Sequence, residues 1–317
     1  MRIASTGLHL PPAVCTSESL APQMGTTAAW ILRHTGVRER RISELPVERM
    51  AALAARAALG DTTPDLLVSA STLPRQLIPD DAPFILRELG LSGIASFSVR
   101  ATCLSFLVGL RVVAGLVDGG AYQRVLLVSS ERGSVGRDFG DPGSAALLGD
   151  GAAAALVTPT PAGEGSGLLA WEMATYPEGA ELTEIPGGGL RHHPDDPATG
   201  PEHHKFHMDG PGVYRMARLR VGEVLERLFT QAGITPAEVD LVVPHQASGA
   251  GVRAVRRYGF SPERVVDVVA TQGNCVAASL PMALATAEAE GRLKRGQVVL
   301  LLGTGAGLSV AAMLLRW

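Results

Sequence analysis

Short runs of Val, Leu and Ile recur along the chain, separated by longer stretches in which polar residues return at helical spacing. "PDLLVSAST", "YQRVLLVSSE", "VDLVVPHQAS" and "GQVVLLLGTG" each hold an unbroken apolar run, which reads as a strand buried on both faces. Helices are expected over Val47 to Leu59 and Val221 to Ala232, ahead of the first strand of each set. A third opens at Cys103, where Leu104, Phe106, Leu107, Val108, Leu110, Val112 and Val113 leave no polar face. Such a helix is expected to be central and buried all round.

The pattern occurs twice. Asp65 matches Asp240, Cys103 matches Cys275 and Val125 matches Val298, at offsets of 172 to 175 residues. That period is far too long for a solenoid and points to two equivalent halves, residues 1–165 and 166–317. Each half reads as mixed α/β. Two sheets around shared central helices give an expected α/β/α/β/α layering. From Trp171 to Met216 the chain turns rich in Gly, Pro and His, an expected excursion over the surface and a candidate binding loop.

Composition narrows the partners. At 317 residues and 46% hydrophobic, the chain can bury one large core or two fused ones. A net charge of -3 argues against general nucleic-acid binding. No charged and apolar leader opens the sequence, and Arg111 interrupts the apolar run after Cys103, so no membrane span and a cytoplasmic location are expected. Cys15, Cys103 and Cys275 lack CxxC spacing, which implies neither a disulfide framework nor a zinc site.

Cys103 is open to two readings. It is either a small buried hydrophobe or a nucleophile whose pKa is lowered by the free amides and macrodipole of a helix start. His245 ends a buried strand, where α/β proteins build sites. Asn274 stands one residue before Cys275 at the start of the matching helix, as an N-cap, a site residue or both. Gly303, Gly305 and Gly307 follow a strand, but no helix or Lys comes after them, so a turn is expected rather than a phosphate loop. An amide of Gly305, Ala306 or Gly307 could then complete an oxyanion site with the Cys103 amide. Asp150 in "LLGDGAAAALV" reads as a hairpin turn. His192, His193, His203, His204 and His207 read as a solvated loop, and no metal is expected.

Taken together, "ATCLSF", "GDGAAAA", "PHQAS", "GNCVAASLP" and "GTGAGLS" resemble the β-ketoacyl-acyl carrier protein synthase III family of the thiolase superfamily. The likeness covers the whole chain, including "WILRHTGVRERR" from Trp30 to Arg41. It implies the thiolase fold, a homodimer, and a Cys103, His245 and Asn274 triad. It further implies that Cys103 takes an acyl group from a thioester, that a malonyl thioester then loses carbon dioxide, and that its enolate attacks the acyl-enzyme. No metal or redox cofactor is needed for that chemistry.

Departures from the family pattern bear on the substrate. By the resemblance, Trp30 and His34 belong to the coenzyme A entrance, with His34 and Pro142 standing where the family keeps arginines. Leu104 follows the nucleophile where a small residue is usual, and Ile78 replaces an aromatic that bounds the acyl pocket. Ser248 replaces an Asn. For docking of acyl carrier protein, Arg253, Arg256 and Arg257 lie at helical spacing, and Arg215, Arg218 and Arg220 form a second basic set. Three other classes remain. A papain-like protease shares the Cys, His, Asn order but lacks its local signature and the duplication. An acyltransferase on this scaffold would pass the acyl group to an alcohol or amine. A non-catalytic partner subunit would have no need of all three triad residues.

Overall fold

The computed structural model describes residues 1–317. Its larger sheet has the strand order Arg2–His9, Asp150–Thr158, Val125–Arg132, Leu66–Ser69, Ala95–Ser98. The last three run parallel to one another and the first two antiparallel to their neighbours. A second sheet has the order Leu241–Pro244, Val298–Gly305, Ser309–Arg316, Gly167–Thr175.

Alternate residues of each strand feed different layers. Val68, Leu127 and Val157 of the first sheet and Val243, Leu301 and Met313 of the second share one core cluster with Phe106, Leu110, Leu280 and Leu284. Those last four belong to helices Ser105–Asp118 and Ser279–Ala289, which are therefore the middle layer. On the outer face of the first sheet, Leu67, Leu126 and Ala154 meet Met50 and Ala54 of helix Val47–Leu59. On the outer face of the second, Val242, Leu300 and Leu314 meet Val224 and Leu228 of helix Gly210–Ala232. The result is the five-layer α/β arrangement, and it explains why none of these strands alternates in sequence.

Four sequence expectations need correction. The second outer helix begins at Gly210, eleven residues before Val221, because Asp209 accepts a hydrogen bond from the Gly212 amide and Pro211 suits a first turn. The helix after Cys103 is not enclosed all round: Arg111 and Val112 are exposed and Val108 is half-buried. Asp150 is not in a turn. It starts a strand, fully buried, and accepts hydrogen bonds from the Ser43 and Ser134 amides and the Ser134 hydroxyl.

The fourth correction concerns the register of the repeat. Ser105 Oγ accepts the Ala101 amide at 2.9 Å, and Ser279 Oγ accepts the Cys275 amide at 2.8 Å. Thr102 and Val276 share positive φ angles of 52° and 49°. Ala101 is thus the counterpart of Cys275, and the counterpart of Cys103 is Ala277. Two cysteines two positions apart draw a sequence comparison into the wrong register. The match of Asp65 with Asp240 holds, since the first accepts the Arg124 amide and the second the Val298 amide. Val125 therefore pairs with Val299, one residue beyond Val298.

Candidate active site

The Cys103 helix starts at Ser105, so Cys103 sits just ahead of it, between Thr102 in a left-handed backbone conformation and Leu104. This kink places the thiol against the turn that joins Val298–Gly305 to Ser309–Arg316. Two glycines there permit the approach. A Cβ on Gly303 would lie 2.7 Å from Leu104 Cδ2, and one on Gly305 would lie 2.7 Å from Thr102 Oγ1. Leu104 is itself buried in the central core and does not line the cavity at Cys103, which corrects its assignment to the acyl pocket.

Of the backbone groups near the Cys103 sulfur, those of Ala306 and of Cys103 itself act to lower its pKa. Of the three turn residues, only Ala306 does so. Ala306 and Gly307 line the cavity, and Gly305 packs beneath Thr102 instead. The expected fall in thiol pKa does not occur. Burial pushes the Cys103 thiol up to about 11, and the nearby Glu131 carboxyl adds to the rise, outweighing the two amides. The amides of Leu104 and Ser105 at the helix start are already given to Ala101 O and Thr102 O.

His245 follows strand Leu241–Pro244, and its amide donates to Leu302 O at 2.8 Å. Its side chain makes no hydrogen bond to the protein, and Nδ1 is buried without a partner. Burial lowers its pKa to about 4, so the ring is neutral at pH 7. Asn274 forms an isolated bridge with Leu148 ahead of the second central helix. Its Oδ1 accepts the Val276 amide at 2.8 Å and the Ser279 hydroxyl at 3.3 Å, and its Nδ2 donates to Ala247 O at 3.2 Å.

These three residues come from separate segments of the chain, and two of them line cavities. Cys103 lines a cavity of about 610 Å³, and His245 lines a smaller one of about 90 Å³ beneath helix Gly210–Ala232. Between them stands Gly303, whose missing side chain would touch both Leu104 and the His245 Cβ. Val276, held by Asn274, lines the Cys103 cavity, so the starts of the two central helices do meet there.

The remaining candidates divide. Trp30 and His34 stack at 4.0 Å, and His34 Nδ1 donates to Trp30 O at 2.9 Å. Ile78 does not bound the pocket within this chain: it is 86% exposed on a loop, while its neighbour Leu77 lines the cavity. The Gly- and Pro-rich excursion does reach the site, through Ala180, Thr183, Ile185 and Phe206, although Trp171 at its expected start lies in a strand. Arg215, Arg253, Arg256 and Arg257 are exposed and outside every ion pair. Arg220 differs, being paired with Glu178 and Glu223. No three His, Cys, Asp or Glu side chains gather at metal-binding spacing. No helix is long and apolar enough to cross a membrane.

Two buried residues escaped the sequence reading. Glu131 is the last residue but one of strand Val125–Arg132 and accepts the amides of Thr72 and Leu73, both in the cavity wall. Burial raises its pKa to about 8. Arg40, also fully buried, donates to Cys15 O, Ser17 Oγ and Ala146 O and packs against Gly149 and Gly273. A carboxylate within a strand, three residues past the apolar run Val125–Val128, was the available signal for Glu131.

Comparison with known proteins agrees with this architecture. Residues 97–177 match the family model described as 3-Oxoacyl-[acyl-carrier-protein (ACP)] synthase III, and residues 229–317 match the model of its C-terminal part. A β-ketoacyl-[acyl-carrier-protein] synthase III of Solibacter usitatus is 33% identical, over 100% of this chain and 98% of the relative. Among solved structures, the 3-oxoacyl-(acyl carrier protein) synthase III of Pseudomonas aeruginosa superposes with a TM-score of 0.90 at 33% identity, over 100% and 98% of the two chains. The priming β-ketosynthase of the R1128 polyketide pathway gives 0.91 at 29% identity, over 99% and 95%. With both halves matched and the fold shared end to end, this chain is a member of the 3-oxoacyl-[acyl-carrier-protein] synthase III family of the thiolase superfamily.

Proposed function

We propose that the protein is a condensing enzyme that carries its acyl group on Cys103. The observation that carries this reading is the place of Cys103 in the wall of a cavity of about 610 Å³, beside the amides of the Ala306–Gly307 turn. Loading begins when the sulfur attacks the carbonyl carbon of an acyl thioester. The carbonyl oxygen takes up negative charge against these amides, the tetrahedral species collapses, and the donor thiol leaves with the proton lost by Cys103. The thiol's raised pKa means that the proton must depart as attack proceeds.

A malonyl thioester enters next. As its carboxylate leaves as carbon dioxide, the electron pair passes into the thioester carbonyl, and the enolate oxygen is met by N–H groups of His245 and Asn274. A neutral imidazole keeps one N–H donor, and Asn274 has a second amide proton beyond the one given to Ala247. The enolate carbon then attacks the Cys103 acyl carbonyl, forming the carbon–carbon bond and releasing the Cys103 thiolate. The scheme requires no metal or redox group.

Two partners follow. An acyl carrier protein, acidic by nature, would meet the unpaired Arg215, Arg253, Arg256 and Arg257. A second copy of the chain would cover the free edge of strand Ala95–Ser98 together with exposed Leu77, Ile78 and Val112. One experiment tests the central reading. Protein loaded with an acyl group is given malonyl-acyl carrier protein, and both carbon dioxide and a β-ketoacyl product are measured. Acyl transfer to an added alcohol or amine with no carbon dioxide would replace condensation by acyl transfer.

A further inference from the structure

Arg40 is a buried cation without a counter-ion. It stands in no ion pair, and its guanidinium donates only to neutral acceptors: Cys15 O at 3.1 Å, Ser17 Oγ at 3.2 Å and Ala146 O at 2.7 Å. Its Nε has no partner. Burial lowers its pKa to about 10, and the charge of Arg137, a side chain only 7% exposed, opposes it further. Burying a charge without an opposite partner is costly, so its place in the fold calls for a reason.

The reason lies in what the two guanidiniums hold. Residues 146–149 run beside residues 273–275. The Asn274 amide donates to Leu147 O at 2.7 Å, the Gly149 amide donates to Asn274 O at 2.9 Å, and Leu148 is the bridge partner of Asn274. Arg40 Nη2 donates to Ala146 O on one side of Leu147, and Arg137 Nη2 donates to Leu148 O on the other. The stem of Arg40 packs against both segments, since a Cβ on Gly149 would lie 3.1 Å, and one on Gly273 3.0 Å, from Arg40 Cβ. Gly273 also has a φ of 69°, which a side chain would strain. The far end of this clamp is the two-stranded ribbon of Ala13–Thr16 and Glu39–Ile42, where Arg40 lies opposite Cys15, outside both large sheets.

We propose that Arg40, assisted by Arg137, is a positioning residue for Asn274: the two guanidiniums fix the carbonyls on either side of Leu147, whose own carbonyl holds the Asn274 backbone, and so set where Nδ2 meets the malonyl enolate. This rests on the enolate role of Asn274 given above. Neither arginine lines the cavity at Cys103, so their effect reaches the reaction through Asn274 and not by contact with substrate. Loading of Cys103 uses no enolate donor and should be spared.

The test follows the two half-reactions with N-acetylcysteamine thioesters, which need no carrier docking. Acyl adducts on Cys103 are read by intact mass, and carbon dioxide release is read from the malonyl thioester. Arg40→Lys keeps the charge but loses the fork, and it should load within about twofold of the native rate while losing decarboxylation by about tenfold; Arg40→Met should lose about 100-fold, the scale of a 1 Å misplacement. Gly273→Ala keeps both arginines but presses a Cβ to 2.7 Å from Leu147 O, and it should show the same split. In an Asn274→Ala background the Arg40 changes should lower decarboxylation no further, because the group they position is gone. Unchanged decarboxylation in Arg40→Met, equal loss of both half-reactions in Arg40→Lys, or full additivity with Asn274→Ala would each overturn the positioning role and leave condensation standing. Undiminished decarboxylation in Asn274→Ala would overturn the enolate reading itself, and this proposal with it.

Discussion

Asn274 and Ala247 are joined by a 3.2 Å hydrogen bond from Nδ2 to the carbonyl oxygen, which ties the loop of His245 to the start of the second central helix. The same side chain caps Val276, so one residue sets the spacing of two loops and still has a proton to offer. Asn274→Ala should load acyl groups at Cys103 yet lose malonyl decarboxylation by about 100-fold, the scale of one oxyanion donor. It should also cost roughly 1–3 kcal/mol of stability through the orphaned Val276 amide. Equal loss of loading and decarboxylation would mark Asn274 as scaffold alone.

Cys103 should behave as a high-pKa thiol. With a pKa near 11, its alkylation by iodoacetamide, read by peptide mapping, should rise about tenfold per pH unit through neutrality. A plateau below about pH 8 would contradict this. Cys103→Ala should abolish every acyl adduct, whereas Cys275→Ala should not, since Cys275 is buried and its thiol hydrogen-bonds only to Gln272 O.

His245 should stay neutral well into the acid range. Its pKa of about 4 lies below the ordinary 6.5, so decarboxylation should be flat between about pH 5.5 and 7.5. An acid limb centred near 6.5 that vanishes in His245→Asn would show that the imidazole is charged in the working enzyme.

Glu131 should make the protein less stable as the medium turns alkaline. Its folded pKa of about 8 exceeds the unbound carboxyl value of 4.5, so the fold prefers the neutral form. Its contribution is complete below about pH 4.5 and is lost as pH rises through 8. Between about pH 5 and pH 9 the unfolding temperature should fall, and Glu131→Gln should flatten that fall. An unchanged slope in the variant would place the alkaline sensitivity elsewhere.

The donor should be a carrier protein rather than coenzyme A. With Nδ1–H committed to Trp30 O, His34 has only Nε2 left to face a phosphate, in place of the five-donor fork of an arginine. Pro142 offers no N–H at all. The same acyl group should load faster from acyl carrier protein than from coenzyme A, with an advantage that shrinks at high salt. Equal rates at both salt levels would remove the unpaired arginines from the docking surface.

Much of this was visible in the residue order. Buried strands declare themselves by unbroken apolar runs, and the duplication by two matched series, because both are properties of consecutive residues. What sequence could not give depends on neighbours far along the chain. Leu104 looked like a pocket residue from its place beside Cys103, but Gly303 and Gly305 make room for it in the core. The lowered thiol pKa was inferred from a helix start alone, and what opposes it, burial first and then Glu131 from strand Val125–Arg132, depends on the tertiary fold. Ile78 was placed by alignment at a pocket that this chain does not close by itself.

Thr102 and Val276 carry the same left-handed bend at matching places, yet only one of them is followed by a nucleophile. The bend comes from steering a helix between two sheets, and so it belongs to the architecture before it belongs to the chemistry. Strain beside a reactive group is often taken as stored catalytic energy. Here the molecule contains its own control: relieving the bend at 276 measures what the geometry costs the fold, and only an excess at 102 can be credited to the reaction.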